Sequence, residues 1–342
     1  MAYHFKNLVF EGGGVKGIAY LGALEVLEEK GIMQNIKRVG GTSVGAINAV
    51  LIALKYTRDE QKKILWNLDF KDFQDSTWGI FRNLYRVMNR YGWNKGDFAK
   101  KWIGNLVADK LGNPEATFKD LKAKGYPDLY VYGTNLCTHY GEVFSIERTP
   151  DMSIAEAVRI SMSIPLYFAA VRNASKDVYV DGGCLNNYPV KLFDREKYIE
   201  HANLPTMGRS DRQYYIDANK EFLEKHPDRS PYIYNKETLG FRLDSKEEII
   251  AFRYNEPRTY EIKKFTDYVK GLIKTVLDSQ NNIHLHSDDW HRTIYIDTKG
   301  VSTTDFGLSD QKKNDLIDSG KQGATDYFKW FDAAAEPIFN RP

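Results

Sequence analysis

One serine, Ser43, occupies the pattern Gly-x-Ser-x-Gly at residues 41–45. A strand-forming run, 36–40, leads into this pattern, and a helix-forming run, 46–54, follows it. A serine in that setting sits on a sharp turn with its hydroxyl exposed, and the flanking glycines avoid a clash across the turn. The following helix directs free N–H groups and its positive dipole end toward any anion near the serine. The pattern predicts a nucleophilic Ser43; the alternative is an ordinary glycine–serine turn.

A glycine-rich loop, residues 12–17, also lies between a predicted strand and a predicted helix. Its glycines satisfy the dinucleotide-binding fingerprint, which requires an acidic residue at the end of the next strand to hold the ribose. Here the next strand runs into the serine pattern, and no acidic residue ends it. The loop therefore favours an oxyanion hole, in which backbone N–H groups face the charge that develops beside Ser43. Lys16 could reach a phosphate from this loop, or could be a solvated lysine at the helix start.

A serine nucleophile needs a base, and the sequence offers two kinds. Asp181 follows the predicted strand 177–180 and precedes two glycines, so it lies at a strand end where ligands bind in α/β sheets. It can act on Ser43 directly if burial raises its basicity. A Ser-His-Asp triad is the alternative, because α/β-hydrolases order their residues as serine, acid, histidine. Its histidine would be one of His284, His286 and His291.

Residues 78–102 are rich in both bases and aromatic residues. Arg82, Arg86 and Arg90 recur every four residues, which places them on one stripe of a helix. Such a stripe, with Trp78, Phe81, Tyr85, Trp93 and Lys95 around it, predicts contact with anionic lipid headgroups. An ordinary solvated helix face is the competing interpretation.

The composition is that of a large globular protein. The chain has 342 residues, 42% of them hydrophobic, and a net charge of +2, so any electrostatic function must be local. Cys137 and Cys184 have no metal-like spacing, which fits a reducing compartment. No signal-peptide pattern and no apolar run of about 18 residues is present, so we expect a cytoplasmic protein with no membrane span.

The alternation of predicted strands and helices over residues 5–54 implies an α/β fold with parallel strands. We expect one domain over residues 1–342. Segment 196–236 is polar, with little apolar periodicity, and is interpreted as an insertion or peripheral lobe. A long helix is predicted over 259–282, a strand over 293–297, and one or two helices over 309–331.

In order and spacing, the glycine loop, the serine pattern and Asp181-Gly182-Gly183 together resemble the patatin-like phospholipases, and bacterial members in particular. The resemblance implies a three-layer α/β/α fold with a largely parallel central sheet. It implies a lipid acyl hydrolase without cofactor or metal, in which Ser43 is the nucleophile and Asp181 the base. The implied oxyanion hole consists of Gly12, Gly13, Gly14 and Val44.

The resemblance also implies functional surroundings. Lys16 stands where many members carry arginine and is the implied phosphate contact. We expect a phospholipid or other lipid ester as substrate, peripheral membrane contact and no nucleic-acid partner. Some relatives are switched on by a signal or partner, and segment 196–236 could host one. The open alternatives are a dinucleotide-binding protein and a catalytically idle scaffold that docks membranes through residues 78–102.

Overall fold

A computed structural model describes residues 3–73, 75, 87–211, 213–245, 259, 261–265, 267–268, 271–272, 275–276, 288–303 and 305–333. Several predictions made above fall on residues outside these ranges: His284, His286, Trp78, Phe81, Arg82, Tyr85 and Arg86. The predicted helix over 259–282 is described only in part. No helix within the described ranges combines the length and the apolar composition that a membrane crossing requires.

Within the described residues, an eight-stranded sheet forms the centre of the fold, and five neighbouring strands in it are parallel, in the order β12-β11-β1-β2-β4. Strand β4 also pairs antiparallel with β8 and β5, and β8 with β7. Two small pairs, β3–β6 and β9–β10, lie outside this sheet. The strands are β1 (Asn7–Phe10), β2 (Arg38–Thr42), β3 (Gly92–Asn94), β4 (Asp128–Asn135), β5 (Tyr140–Ser145), β6 (Leu166–Phe168), β7 (Val171–Arg172), β8 (Val178–Asp181), β9 (Gly208–Arg209), β10 (Tyr234–Asn235), β11 (Thr238–Asp244) and β12 (Thr293–Asp297).

Helices alternate with the strands along the chain, as the sequence pattern predicts. The α-helices are α1 (Tyr20–Glu29), α2 (Val44–Ala53), α3 (Arg58–Trp66), α4 (Asp97–Leu111), α5 (Phe118–Ala123), α6 (Ile154–Ser161), α7 (Gly183–Asn186), α8 (Leu204–Met207), α9 (Gln213–Lys225) and α10 (Asp310–Asp332). Short 3₁₀ helices include Gly14–Ala19, Val190–Phe193 and Asp288–Arg292. Every residue of α2 is buried, which explains why all of its side chains except that of Asn48 are apolar or absent.

Both faces of the sheet are covered. Successive side chains of a strand point to opposite faces, and on β1 Leu8 and Phe10 join the main core, whereas Val9 joins a second core. The main core lies between the sheet and residues of α1, α2 and α10. The second core, which contains Val9, also includes Tyr130, Phe193 and Tyr198. The predicted α/β fold with a largely parallel sheet is confirmed.

Segment 196–236 contains α8, β9, α9 and β10. A buried ion pair fixes its boundary: the Arg292 guanidinium, just before β12, donates to both oxygens of Asp194 at 2.6 and 2.8 Å. The Tyr215 hydroxyl of α9 donates to Asp194 Oδ2 at 2.6 Å. These contacts attach the segment to the edge of the sheet formed by β12. Its interpretation as an insertion or peripheral lobe stays a prediction.

Candidate active site

Ser43 occupies the turn between β2 and α2. Its backbone has φ 54° and ψ −124°, a conformation that non-glycine residues rarely adopt and that costs on the order of 1–3 kcal/mol. The flanking glycines permit it: a Cβ on Gly41 would lie 2.5 Å from the carbonyl carbon of Gly45, and a Cβ on Gly45 would lie 2.4 Å from the carbonyl oxygen of Phe10. The strain is the kind that places a serine hydroxyl in an exposed, reactive position.

Ser161, at the end of α6, supports this turn. Its hydroxyl accepts a hydrogen bond from the Ser43 N–H at 2.9 Å and donates one to the carbonyl of Tyr132 at 2.6 Å. The Ser43 N–H is therefore not available as an oxyanion donor. The sequence does not assign this role to Ser161, because a serine at a helix end carries no signal that it will contact a turn 118 residues away.

The meeting of Ser43 and Asp181 depends on strand β4. Thr42 of β2 pairs with Tyr132, and Asp181 of β8 pairs with Gly133, the next residue along β4. Because β2 runs parallel to β4 and β8 runs antiparallel, the carboxyl ends of β2 and β8 approach each other at adjacent positions of β4. This arrangement brings residues 138 positions apart in the sequence into contact.

Asp181 is 2% exposed, and burial raises the pKa of its carboxyl from 3.8 to about 7. Two neighbours oppose the rise in pKa: the Gly183 N–H donates to Asp181 Oδ1 at 2.7 Å, and the Ser43 side chain, beside the same carboxyl group, lowers its pKa further. A carboxylate with a pKa near neutrality, in contact with a serine hydroxyl, is matched to the task of accepting that hydroxyl's proton.

His291 lies far from Ser43. It is in the 3₁₀ turn that leads into the amino end of β12, and its ring stacks on Trp290 with centroids 3.8 Å apart. Ser43 follows the carboxyl end of β2, three strand positions away in the sheet. Strand spacing and rise separate the two residues by roughly 20 Å. A triad with His291 is therefore incompatible with this fold; His284 and His286 lie outside the described residues.

The glycine loop lies directly against Ser43. A Cβ on Gly12 would come within 3.1 Å of the Ser43 Cβ, and a Cβ on Gly17 within 2.6 Å of Val44 Cγ2. The expectation for Gly12 is corrected in one respect, because its N–H donates to the carbonyl of Asn187 at 3.0 Å and cannot also bind an oxyanion. The N–H groups of Gly13, Gly14 and Val44 have no acceptor within the described part of the chain.

Two polar residues, the buried Glu11 and the half-buried Asn187, hold the glycine loop in place. Asn187 Nδ2 donates to the carbonyl of Gly12 at 3.0 Å and to Glu11 Oε1 at 3.2 Å. The Leu243 N–H donates to Glu11 Oε2 at 2.6 Å, and burial raises the pKa of the Glu11 carboxyl. The loop is thus tied to the segment after Asp181 and to β11. No local pattern in the sequence indicates that Asn187 will contact a loop 175 residues away.

We expect Asn187→Ala to lower kcat about tenfold with little change in KM, since it removes the Nδ2 donor from the Gly12 carbonyl and from Glu11 Oε1 and loosens the loop beside Ser43. Steady-state kinetics on a soluble ester measure this effect. Asn186→Ala is the matched control, because the Asn186 side chain contacts Tyr132 instead of the loop. An equal loss in both variants would contradict a specific role for Asn187.

Lys16 is buried, 8% exposed, and is not the solvated lysine that was one of its two interpretations. Its Cε lies 3.4 Å from the position that a Cβ on Gly13 would take, so the side chain runs along the glycine loop. Within the described part of the chain, its ammonium group has no hydrogen bond or ion pair. A cation held in this way beside the site can attract an anionic group.

One cavity borders the glycine loop and another lies farther away, and neither includes the dyad. One, of about 240 Å³, begins at Val15 and Ile18 and extends to Phe70 and Phe306. The other, of about 570 Å³, lies between α3 and α4. Neither is lined by Ser43 or Asp181. No group of three or more His, Cys, Asp or Glu side chains in the described ranges is arranged to hold a metal ion.

Comparisons with known proteins show which family and which fold this chain resembles. The profile of the family described as Patatin-like phospholipase matches residues 8–194. Uncharacterized protein YqhO of Bacillus subtilis is 31% identical over 335 residues, which cover 92% of this chain and 94% of YqhO. Probable lipid hydrolase 463L of Invertebrate iridescent virus 6 is 28% identical over 61% of this chain and 68% of its own. VipD from Legionella pneumophila has a similar fold, with a TM-score of 0.57 and 19% identity over 96% of this chain and 67% of VipD.

Proposed function

This chain belongs to the patatin-like phospholipase family, and on that premise we propose that it is a serine hydrolase that cleaves the carboxylic esters of phospholipids through a Ser43–Asp181 dyad. The observation that carries the proposal is the register of β2 and β8 on β4, which places Ser43, on its strained turn, beside the buried carboxyl of Asp181. A dinucleotide-binding function has less support, because β2 ends at Thr42 and continues into Ser43, with no acidic residue for a ribose.

In the first half-reaction, the Asp181 carboxylate accepts the proton of the Ser43 hydroxyl while Ser43 Oγ bonds to the ester carbonyl carbon. The carbonyl oxygen becomes an oxyanion, which accepts hydrogen bonds from the N–H groups of Gly13, Gly14 and Val44. When the intermediate collapses, the carbon–oxygen bond to the alcohol breaks, and the alcohol leaves with the proton from Asp181. The products of this step are a lysophospholipid and acyl-Ser43.

In the second half-reaction, water attacks the acyl carbon and gives a proton to Asp181. The same N–H groups hold the second oxyanion. The bond to Ser43 Oγ then breaks, the proton returns to Ser43, and the fatty acid is released. Lys16, buried along the glycine loop, is proposed to contact the phosphate of the substrate, since an ammonium group is a point-charge ligand for phosphate.

Incubation with a mixed lipid extract, followed by mass spectrometry of the products, tests this function. We expect free fatty acids and lysophospholipids from the wild type and none from Ser43→Ala. Neutral glycerides in the same extract test the phosphate contact: preferential loss of phospholipids supports a role for Lys16. An absence of any new acyl product with the wild type would contradict the proposed function.

The buried dyad base predicts a specific pH dependence. Only the ionised form of Asp181 accepts a proton, so kcat/KM should fall about tenfold per pH unit as the pH drops below the Asp181 pKa of about 7. The measurement is the pH profile of kcat/KM on a soluble ester. His291→Ala is the control and should leave the inflection in place, whereas an inflection that disappears in this variant would identify a histidine as the base.

A further inference from the structure

Both members of the dyad are held by one short segment, residues 161–163, at the end of α6. The Ser161 hydroxyl accepts the hydrogen bond of the Ser43 N–H. Two residues later, the carbonyl of Ser163 accepts a hydrogen bond from the Asp181 N–H at 2.9 Å. The position of Ser43 relative to Asp181 therefore depends on how firmly this segment is held.

The helix itself gives Ser163 little support. Helix α6 ends at Ser161, and the last carbonyl groups of a helix lack intrahelical donors. Pro165, two residues after Ser163, prevents the helix from continuing. The Ser163 N–H still donates to the carbonyl of Ile160 at 2.9 Å. Its buried side chain is held by another residue.

That residue is Arg159, in the last turn of α6, which is 6% exposed. Its Nη1 donates to Ser163 Oγ at 2.5 Å, and the Ser163 hydroxyl donates to the Arg159 carbonyl at 2.8 Å. Its Nη2 donates to the carbonyls of Lys95 and Ala169 at 2.6 and 2.8 Å. One guanidinium thus joins three parts of the chain: the end of α6, the residues between β3 and α4, and the residue after β6.

The Arg159 guanidinium works as a hydrogen-bonding fork. The three partners of its Nη1 and Nη2 are neutral oxygens. Burial lowers the pKa of the guanidinium to about 10. The neighbouring carboxylates of Asp75, Asp97 and Glu156 oppose this shift. Arginine suits the task because its planar group presents several donors in fixed directions, whereas lysine presents one ammonium group on a flexible stem.

The surrounding backbone leaves room for this fork. Gly96 has φ 75°, and a Cβ there would lie 2.2 Å from Arg159 Nε. The guanidinium therefore occupies space that any side chain at position 96 would take. The Phe168 ring lies on another side, with its centroid 5.8 Å from Arg159 Cζ. Packing as well as hydrogen bonding thus fixes the direction of the guanidinium.

We propose that Arg159 is a positioning residue for ester hydrolysis: it fixes Ser163, and through Ser163 it holds Asp181 at the distance from Ser43 that proton transfer requires. This inference rests on the proposed function for the reaction that the dyad performs. Arg159 acts only through Ser163. A misplacement of about 1 Å can cost on the order of 100-fold in rate, so a small loosening of this segment has a measurable effect. The competing role is stabilisation of the fold alone.

Two variants test the positioning role. Ser163→Ala removes the hydroxyl that Arg159 Nη1 binds and keeps the carbonyl that Asp181 binds. Arg159→Lys keeps the positive charge and loses the fork. We expect each variant to lower kcat for p-nitrophenyl butyrate at least tenfold and to leave KM within twofold of wild type, because the dyad is displaced while the substrate site is intact.

Matched controls lose similar contacts away from the dyad. The Ser319 hydroxyl, on α10, donates to the carbonyl of Asp297 at 2.6 Å, so Ser319→Ala matches Ser163→Ala. Arg38 lies at the amino end of β2, and its Nη1 donates to two neutral oxygens at 3.1 Å, so Arg38→Lys matches Arg159→Lys. The controls should lose thermal stability and keep kcat within twofold. Losses of kcat in the test variants no larger than in the controls would overturn the proposal.

The carboxyl group of Asp181 gives a second readout, which needs no substrate. Its ¹³C NMR titration, assigned by comparison with Asp181→Asn, should give a lower pKa in Ser163→Ala and Arg159→Lys than in the wild type, since a loosened segment admits water to the carboxyl. The controls should leave this pKa unchanged. A pKa equal to that of the wild type in both test variants would overturn the positioning role.

The proposed function can fail independently of this inference. A wild-type protein that hydrolyses no ester would refute the hydrolase, and the NMR titration of Asp181 would still decide the role of Arg159. Ester hydrolysis by the wild type, with kcat unchanged in Ser163→Ala and Arg159→Lys, would refute the positioning role and leave the hydrolase intact.

Discussion

Replacement of Ser43 by alanine, or of Asp181 by asparagine, is expected to reduce kcat/KM for ester hydrolysis on the order of 10⁴-fold or more. Ser43→Ala removes the atom that attacks the carbonyl carbon. Asp181→Asn removes the only group in contact with Ser43 that can take its proton in the described part of the chain. Because the two residues act as one unit, the double variant should lose little more activity than either single variant. Steady-state kinetics on a soluble ester measure all three.

A measurement of thermal stability shows whether a variant has lost activity because its chemistry is impaired or because it no longer folds. The raised pKa of Asp181 means that the folded protein holds the proton more tightly than the unfolded chain, so the free energy of unfolding falls as the pH rises from about 4 to about 7. A pKa raised from 3.8 to about 7 corresponds to roughly 4 kcal/mol. Asparagine does not ionise, so the Asp181→Asn variant avoids this loss of stability at high pH. Its Tm at pH 8 should therefore exceed that of the wild type.

The result that would contradict the dyad is near-native activity in Asp181→Asn. A lower Tm at pH 8 in that variant than in the wild type would contradict the claim that the buried, ionised Asp181 destabilises the folded protein. The difference in Tm between the variant and the wild type should disappear below about pH 4, where Asp181 is protonated in both the folded and the unfolded state.

The substitution Gly14→Ala is expected to lower kcat/KM by about 10²–10³-fold, the usual loss when an oxyanion donor is displaced. Gly14 has φ 55°, and a Cβ there would lie 2.2 Å from the carbonyl oxygen of Thr303. Because that contact is to backbone, the loop itself must move, and the N–H groups of Gly13 and Gly14 move with it. Kinetics on a soluble ester measure the loss.

Gly125→Ala provides a matched control. Gly125 follows α5 with φ 67°, and a Cβ there meets nothing within 4 Å. It therefore reproduces the left-handed strain, about 1–2 kcal/mol, without a collision and away from the loop. Both variants should lose thermal stability, but only Gly14→Ala should lose activity. If Gly14→Ala kept wild-type activity, the proposed oxyanion hole would be wrong.

The contiguous motifs were readable from the sequence because each forms its structure locally. The strand–turn–helix around Ser43 and the glycine loop before α1 appear where the spacing predicts them, although β2 covers 38–42 instead of the predicted 36–40. Strand β12, over residues 293–297, has the predicted bounds. The last helix is a single one, 310–332. Local propensity and periodicity suffice for these elements.

Other features depend on contacts between distant parts of the chain, and only the tertiary structure decided them. The Ser161 hydroxyl under the elbow, and the Asn187 and Glu11 side chains behind the glycine loop, meet partners more than 100 residues away. The pKa of Asp181 depends on burial, and the exclusion of His291 depends on which end of β12 it occupies. The sequence alone determined which residues can do chemistry. The tertiary structure decided which of them lie close together and how far their pKa values shift. Both depend on the packing of strands side by side, which brings residues together and removes them from water.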